Sequence, residues 1–179
     1  MNNSYDKCKD KFKPKVYIAC LAAYNAGYLH GEWVDATLDV EEIQGEINEM
    51  LASSPIANAE EWAIHDYDDF GNVSLGEYPR LSTVVDTACF IALHGSLGIE
   101  LLTHFDEVAE AEKALDEYYL GVYESVEDYA QELTEDTTKI PEHLQYYIDY
   151  EAMARDMELN GDIFTIETGY KRVHIFLNF

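Results

Sequence analysis

The stretch from Asp106 to Asp136 constrains the fold more than any other. DEVAEAEKALDEYYLGVYESVEDYAQELTED holds twelve carboxylates and one cation, Lys113. Self-repulsion at that density opposes compaction. Even so, Val108, Ala111 and Leu115 recur at helical spacing, and so do Val126, Tyr129, Ala130 and Leu133. Asp128, Glu132, Glu135 and Asp136 then fall on the far side of the second helix. Ser125 followed by Asp128 reads as a capping box that opens it. The pattern predicts an ordered scaffold, helix then strand then helix, that turns negative charge outward.

The rest of the chain shares this imbalance. The net charge is −25, and residues 16–170 carry four cations against 34 carboxylates. Five lysines (Lys7, Lys9, Lys11, Lys13, Lys15) crowd the first fifteen residues, which read as a basic flexible tail. Apolar residues make up 47% of the chain and aromatic residues 13%, too many for an intrinsically disordered acidic protein. Such a body fits basic partners: cations, a basic protein, or the positive channel of a nucleic-acid enzyme. It does not fit direct nucleic-acid binding, which needs Lys and Arg at phosphates. A surface adapted to high salt is the plainer alternative. The three cysteines are widely spaced and read as free thiols of a reducing cytoplasm. No secretory leader and no apolar run of membrane-spanning length is expected.

Periodicity divides the chain into a small α+β unit at 16–72, a helical region at 73–117 and a second α+β unit at 118–179. In the first, strands at 16–21, 29–35 and 61–67 surround a helix at 39–51, with a turn at 22–27. That helix points Val40, Ile43, Ile47 and Met50 inward and Asp39, Glu42, Glu46 and Glu49 outward. The third strand alternates Trp62, Ile64 and Asp66 with Ala63, His65 and Tyr67. In the middle, Leu81, Val84, Val85, Ala88, Cys89 and Ala92 form a wide apolar face. The last unit combines a strand at 118–123, a helix at 149–160 stopped by Gly161, and a closing hairpin, 163–168 with 172–177. The expected fold class is α+β, with two small three-stranded antiparallel sheets flanking a helical middle.

Catalytic patterns are missing. Carboxylate pairs are so common here that any one would pass a test for acid–base catalysis by chance, and such a pair needs environments that separate two pKa values. The six histidines are scattered, and no phosphate-binding loop or nucleophile elbow occurs. No cofactor is expected. One near miss is a calcium loop: Asp66, Asp68, Gly71 and Glu77 occupy ligand and turn positions, but Phe70 stands where a ligand is needed.

Charge density points elsewhere. B-DNA carries one charge per ~1.7 Å of axis, so some thirty net charges would match ~50 Å of duplex, ~15 base pairs. A rigid body studded this way can occupy a DNA-binding channel and release its counterions as DNA does. The candidate phosphate substitutes are Asp39, Glu42, Glu46, Glu49, Asp66, Asp68, Asp69, Asp106, Glu107, Glu110, Glu112, Asp116, Glu117, Glu124, Glu127, Asp128, Glu132, Glu135 and Asp136. Two other functions fit the same composition: an acidic adaptor or chaperone-like protein for another basic partner, and a cation-binding protein using the 66–77 loop.

Three blocks carry a family resemblance. They are YIACLAAYNAGYLHGEWVDA (17–36), EWAIHDYDDFG (61–71) and PEHLQYYIDYEAMARDMELNGDIF (141–164). In content and order they resemble the ArdA-type antirestriction proteins. The carrying residues include Tyr17, Ile18, Ala19, Tyr24, Asn25, Gly27, Gly31 and Trp33, then Glu61, Ala63, Ile64, His65, Asp66 and Tyr67, then Pro141, Leu144, Tyr147, Ile148, Asp149, Tyr150, Glu151, Ala152, Arg155 and Asp156. Met157 stands where the family usually has Leu, and the lysine-rich start is also a departure. The resemblance implies an elongated three-part subunit, a curved acidic homodimer that imitates bent B-DNA, and occupation of the DNA-binding site of type I restriction-modification enzymes without catalysis. It places the antirestriction motif around 139–151 and the dimer contact in the C-terminal part. Leu144, Tyr147 and Ile148 are the candidates for that contact, with a place in the internal core as the equal alternative.

Overall fold

β1 (Lys15–Cys20) organises the first half of the chain because alternate side chains fit two different surroundings. Val16, Ile18 and Cys20 are wholly buried on one face, while Lys15 and Tyr17 lie on the other. The computed structural model describes residues 12–76 and 79–179. Their contacts form two compact units, the first ending at Val108 and the second running Ala109–Phe179. The basic-tail reading of 1–15 falls mostly on residues 1–11, outside the described part.

In the first unit β1 pairs antiparallel with β2 (Gly31–Asp35) and β3 (Trp62–Asp68), in the order β2-β1-β3. α2 (Val40–Ala52) lays Ile43, Ile47 and Met50 into the core beneath the sheet. Asp39 starts α2 by accepting from the Glu42 N–H at 2.8 Å, and Glu42 accepts from the Asp39 N–H at 3.3 Å. This reciprocal cap typically stabilises a helix by about 1 kcal/mol. The turn expected at 22–27 opens as a short helix, α1 (Leu21–Asn25), because the Cys20 thiol caps the Ala23 N–H.

A bulge corrects the expected faces of β3. Tyr17 pairs with Asp66 but Ile18 pairs with Ile64, so His65 is the inserted residue. Asp66 therefore joins the Tyr17 face, and Tyr67 turns to the other, where it meets buried Phe70 edge-on. The helical expectation for 73–117 also needs correction. Residues 73–76 and 79–80 are irregular, with Val73 and Leu75 buried as plugs, and α3 begins only at Leu81. Gly71 enters this segment at φ +60°, with its missing Cβ position 2.6 Å from the Ile99 side chain, so any side chain there would be strained and would have to push Ile99 aside. α3 (Leu81–His94) buries Val84, Thr87, Ala88, Phe90 and Ile91, and leaves Cys89 exposed. The inward stripe is rotated relative to the expected one because Thr87 serves as a small buried residue. α4 (Ser96–Phe105) follows and ends at Asp106 in the left-handed conformation.

The second unit begins with α5 (Val108–Lys113), which widens into a π-helical turn, Ala114–Tyr118. β4 (Tyr119–Tyr123), α6 (Val126–Thr137), a 3-10 helix at Glu142–Tyr147, α7 (Tyr150–Leu159) and the hairpin β5 (Ile163–Gly169) and β6 (Arg172–Leu177) complete it. The sheet order is β4-β6-β5, all antiparallel. One core gathers Tyr129, Ile163, Val173 and Ile175, with Leu133 and Met157 from α6 and α7 against it. The opposite side of β6 buries Phe176, stacked on Phe164, and His174. The fold is α+β with two three-stranded antiparallel sheets. No helix among the described residues is long and apolar enough to cross a membrane.

Candidate acidic interface

Carboxylates reach the surface from nearly every element. Each of the nineteen candidates named from the sequence is exposed, and so is every other described carboxylate except half-buried Glu32. Local structure accounts for their placement. On α2 the apolar stripe fixes the rotation, so Glu42, Glu46 and Glu49 follow one another along the outer face, and Asp39 is added by its capping role. On β3, Asp66 and Asp68 share the face of Tyr17 and Lys15. Asp69 (φ +61°) and Asp106 (φ +62°) occupy left-handed turn positions, which a short polar side chain tolerates. Asp69 also accepts from the Lys13 N–H at 3.1 Å.

In the second unit, Glu110 and Glu112 leave α5 while Asp116 and Glu117 leave the π turn. α6 carries Glu127, Asp128, Glu132, Glu135 and Asp136, all exposed. Its cap is a variant of the expected one. Ser125 accepts from the Asp128 N–H at 3.1 Å and donates its hydroxyl to the Asp128 carboxylate at 2.7 Å. Glu135 and Asp136 stand in the last turn, at the negative end of the helix dipole, where anions are unfavourable by a few tenths of a kcal/mol each. Asp128 and Glu132, and Glu132 and Asp136, are like charges four residues apart, again unfavourable. No basic residue occupies the last turn of α2, α6 or α7. A helix selected only for its own stability would not be charged this way.

Few of these charges are neutralised. Among the described residues the ion pairs are Arg155–Asp156 at 3.9 Å and Lys171–Glu124 at 2.6 Å, both at the surface. Its hydrogen bond to Glu124 raises the Lys171 pKa, so among the described residues Glu124 is the one candidate held by a cation. Glu132 accepts from the Tyr123 hydroxyl at 3.1 Å. Burial, then this bond, holds the Tyr123 pKa above the ordinary value. Glu135 accepts from the Gln131 amide at 2.8 Å.

The sequence reading missed several carboxylates of equal exposure, among them Asp35, Glu60, Glu61, Asp149, Glu151 and Glu158. Helical spacing around Ala154 could have found the last three, and Asp149 is the N-cap of α7, accepting from the Ala152 N–H at 2.8 Å. Of the dimer candidates, Leu144 is 45% and Tyr147 83% exposed, so neither lies in the core of the subunit; Ile148 is half-buried. Tyr146 is exposed beside them, and the 3-10 helix that carries three of these residues buries none of its side chains. A cleft of about 580 Å³ runs along this segment, lined by Gln131, Glu135, Lys139, Ile140, Tyr146 and Tyr150 among others.

The calcium-like loop has a different local character. Phe70 is a core residue, the entering segment is β3, and Glu77 lies outside the described residues. Among the described residues no group of three or more His, Cys, Asp or Glu side chains is placed to hold a metal ion.

A search of curated protein sequences returned no match. Residues 16–172 match the family model of the antirestriction protein ArdA, and the chain belongs to that family.

Proposed function

We propose that this protein, a member of a family of antirestriction inhibitors, blocks type I restriction-modification enzymes by presenting carboxylates where B-DNA would present phosphates. The observation that carries the reading is the near-complete exposure of the carboxylates, two of them ion-paired among the described residues, with acids kept at helix ends where they oppose the dipole. Lys and Arg side chains that line a DNA channel neutralise the phosphates of a bound duplex and release the cations condensed on it. A rigid, densely anionic surface gives up its own screening cations to the same Lys and Arg groups as a duplex does, with no bond made or broken. The mechanism uses no cofactor, and the protein itself does not bind nucleic acid.

The test is competition. Duplex DNA displaces the protein from the DNA-recognition and modification core of a type I enzyme, and raising salt from about 50 to 200 mM weakens the complex tenfold or more. Simultaneous, independent binding of DNA and protein would favour the acidic-adaptor reading instead.

The active form in this proposal is a homodimer joined through Leu144, Tyr147 and Ile148. Exposed aromatic and aliphatic side chains on a segment with no buried residue support that placement. Tyr147→Asp leaves the monomer folded and raises the dimer dissociation constant about thirtyfold, read by sedimentation. An unchanged dimer would move the contact elsewhere.

A further inference from the structure

The sheet of the first unit has one face covered by α2 and another that is open and chemically mixed. Register puts Trp33, Tyr17 and Asp66 in one row across the open face, and Asp35, Lys15 and Asp68 in the next. Trp33 is 48% exposed, and its ring meets the Tyr17 ring at 5.5 Å. Gly31 makes this arrangement possible. A Cβ there would lie 2.4 Å from the Ile18 carbonyl oxygen and 2.9 Å from the Tyr17 hydroxyl, so the bare backbone leaves the Tyr17 ring room to lie beside Trp33. The aromatic ledge is thus held in place before any partner arrives. Register puts three exposed carboxylates, Asp35, Asp66 and Asp68, on the same face, with Lys15 between two of them.

This pairing has a chemical meaning. A purely electrostatic phosphate substitute needs no aromatic surface, and two contacting rings open to water among carboxylates are a surface on which a partner can anchor. Tryptophan and tyrosine are the side chains that most often anchor interfaces, and a guanidinium over an aromatic face is stabilised by the ring quadrupole while its N–H groups reach nearby carboxylates. We propose that Trp33 and Tyr17 form a cation-binding ledge for an arginine- or lysine-bearing segment of the partner enzyme, with Asp35, Asp66 and Asp68 as its counter-charges. Charge complementarity selects that occupant: three carboxylates around two rings match a cationic side chain, not an apolar or acidic one. The ledge rests on the mimicry proposed above and adds to it a ring contact that, once desolvated, is screened by salt far less than the exposed carboxylates around it.

Salt dependence separates the two parts. Trp33→Thr, which keeps a good strand-forming residue, weakens binding to the type I modification core about tenfold, by the same factor at low and high salt. Trp33→Phe keeps a ring and stays within about threefold of wild type. Asp35→Asn with Asp68→Asn weakens binding mainly at low salt and flattens its salt dependence. An intact chain supplies an independent readout. Trp33 and Trp62 are its two tryptophans, so 5-fluorotryptophan labelling gives two fluorine resonances, and the one missing in Trp33→Phe must move on saturation with the enzyme. A Trp33 resonance that does not move, or wild-type affinity in Trp33→Thr, overturns the ledge. If duplex DNA fails to displace the wild-type protein, the mimicry reading falls instead; displacement of both proteins at equal affinity removes the ledge alone.

Discussion

The two three-stranded sheets have the same layout, a central strand between two antiparallel neighbours, and both contain a bulge, yet they serve opposite purposes. In the first, β1 buries Val16 and Ile18 on one side and leaves Lys15 and part of Tyr17 in water on the other. In the second, Val173, His174, Ile175 and Phe176 are all buried, so both faces of β6 are covered. A strand covered on both faces is a structural spine, and one covered on a single face is a platform. The difference shows where this chain keeps its stability and where it can spend side chains on a partner.

Truncation gives the largest expected contrast. Phe176→Ala removes a fully buried ring that packs on Phe164 and Tyr119, and costs about 3–5 kcal/mol in urea denaturation. Trp33→Thr on the platform costs less than about 1 kcal/mol, since half its ring is already in water. Equal losses would mean that the first sheet is not open on that side.

The next contrast depends on pH. His174 is 5% exposed; its Nδ1 lies 2.8 Å from the Tyr119 hydroxyl and its Nε2 lies 2.9 Å from the Thr168 hydroxyl. A neutral ring satisfies both, donating to one hydroxyl and accepting from the other. Burial, with help from the Arg172 charge, pushes its pKa down to about 4. The unfolded chain, near 6.5, therefore binds a proton that the folded chain refuses. The stabilising contribution is complete above pH 6.5 and is lost as pH falls toward 4, by up to about 3 kcal/mol. Carboxylate protonation acts in the opposite direction by relieving surface repulsion, so the wild type must be compared with His174→Phe. Unfolding free energies of the two proteins should diverge across pH 4–6.5; parallel curves would show that His174 is protonated inside the fold.

How much of this could be read from the residues depends on how local its cause is. α2 and α7 were legible because each has an apolar stripe at helical spacing and an aspartate cap. The outward carboxylates followed from those stripes. The second sheet was legible from aromatic and β-branched runs around Gly169. The bulge at His65 was not, because an inserted residue leaves the sequence pattern intact while reversing every face after it. Val73 and Leu75 were misread as helical since burial in an irregular segment has no period. Leu144 and Tyr147 could have been core or surface, as such residues serve both. The open ledge around Trp33 also depends on register, which joins residues 17, 33 and 66 only in three dimensions.

The smallest expected effect is the most informative about charge, because stability and function should move in opposite directions. Glu132→Gln, Glu135→Gln and Asp136→Asn together remove two acids from the dipole-opposed end of α6 and relieve its like-charge pairs. The amides still accept from the Tyr123 hydroxyl and the Gln131 side chain, so those two hydrogen bonds survive. Relief of each unfavourable interaction is worth a few tenths of a kcal/mol, and the triple variant should gain about 1 kcal/mol in denaturation. Inhibition of the restriction enzyme should weaken by severalfold at low salt and less at high salt. One substitution alone should leave both measurements nearly unchanged, because the charge is spread over many elements. If the triple variant lost stability, the acids of α6 would be structural. If it gained stability and inhibited as well as the wild type, this helix would not meet the enzyme, and the first unit, with its platform of carboxylates and rings, would carry the contact.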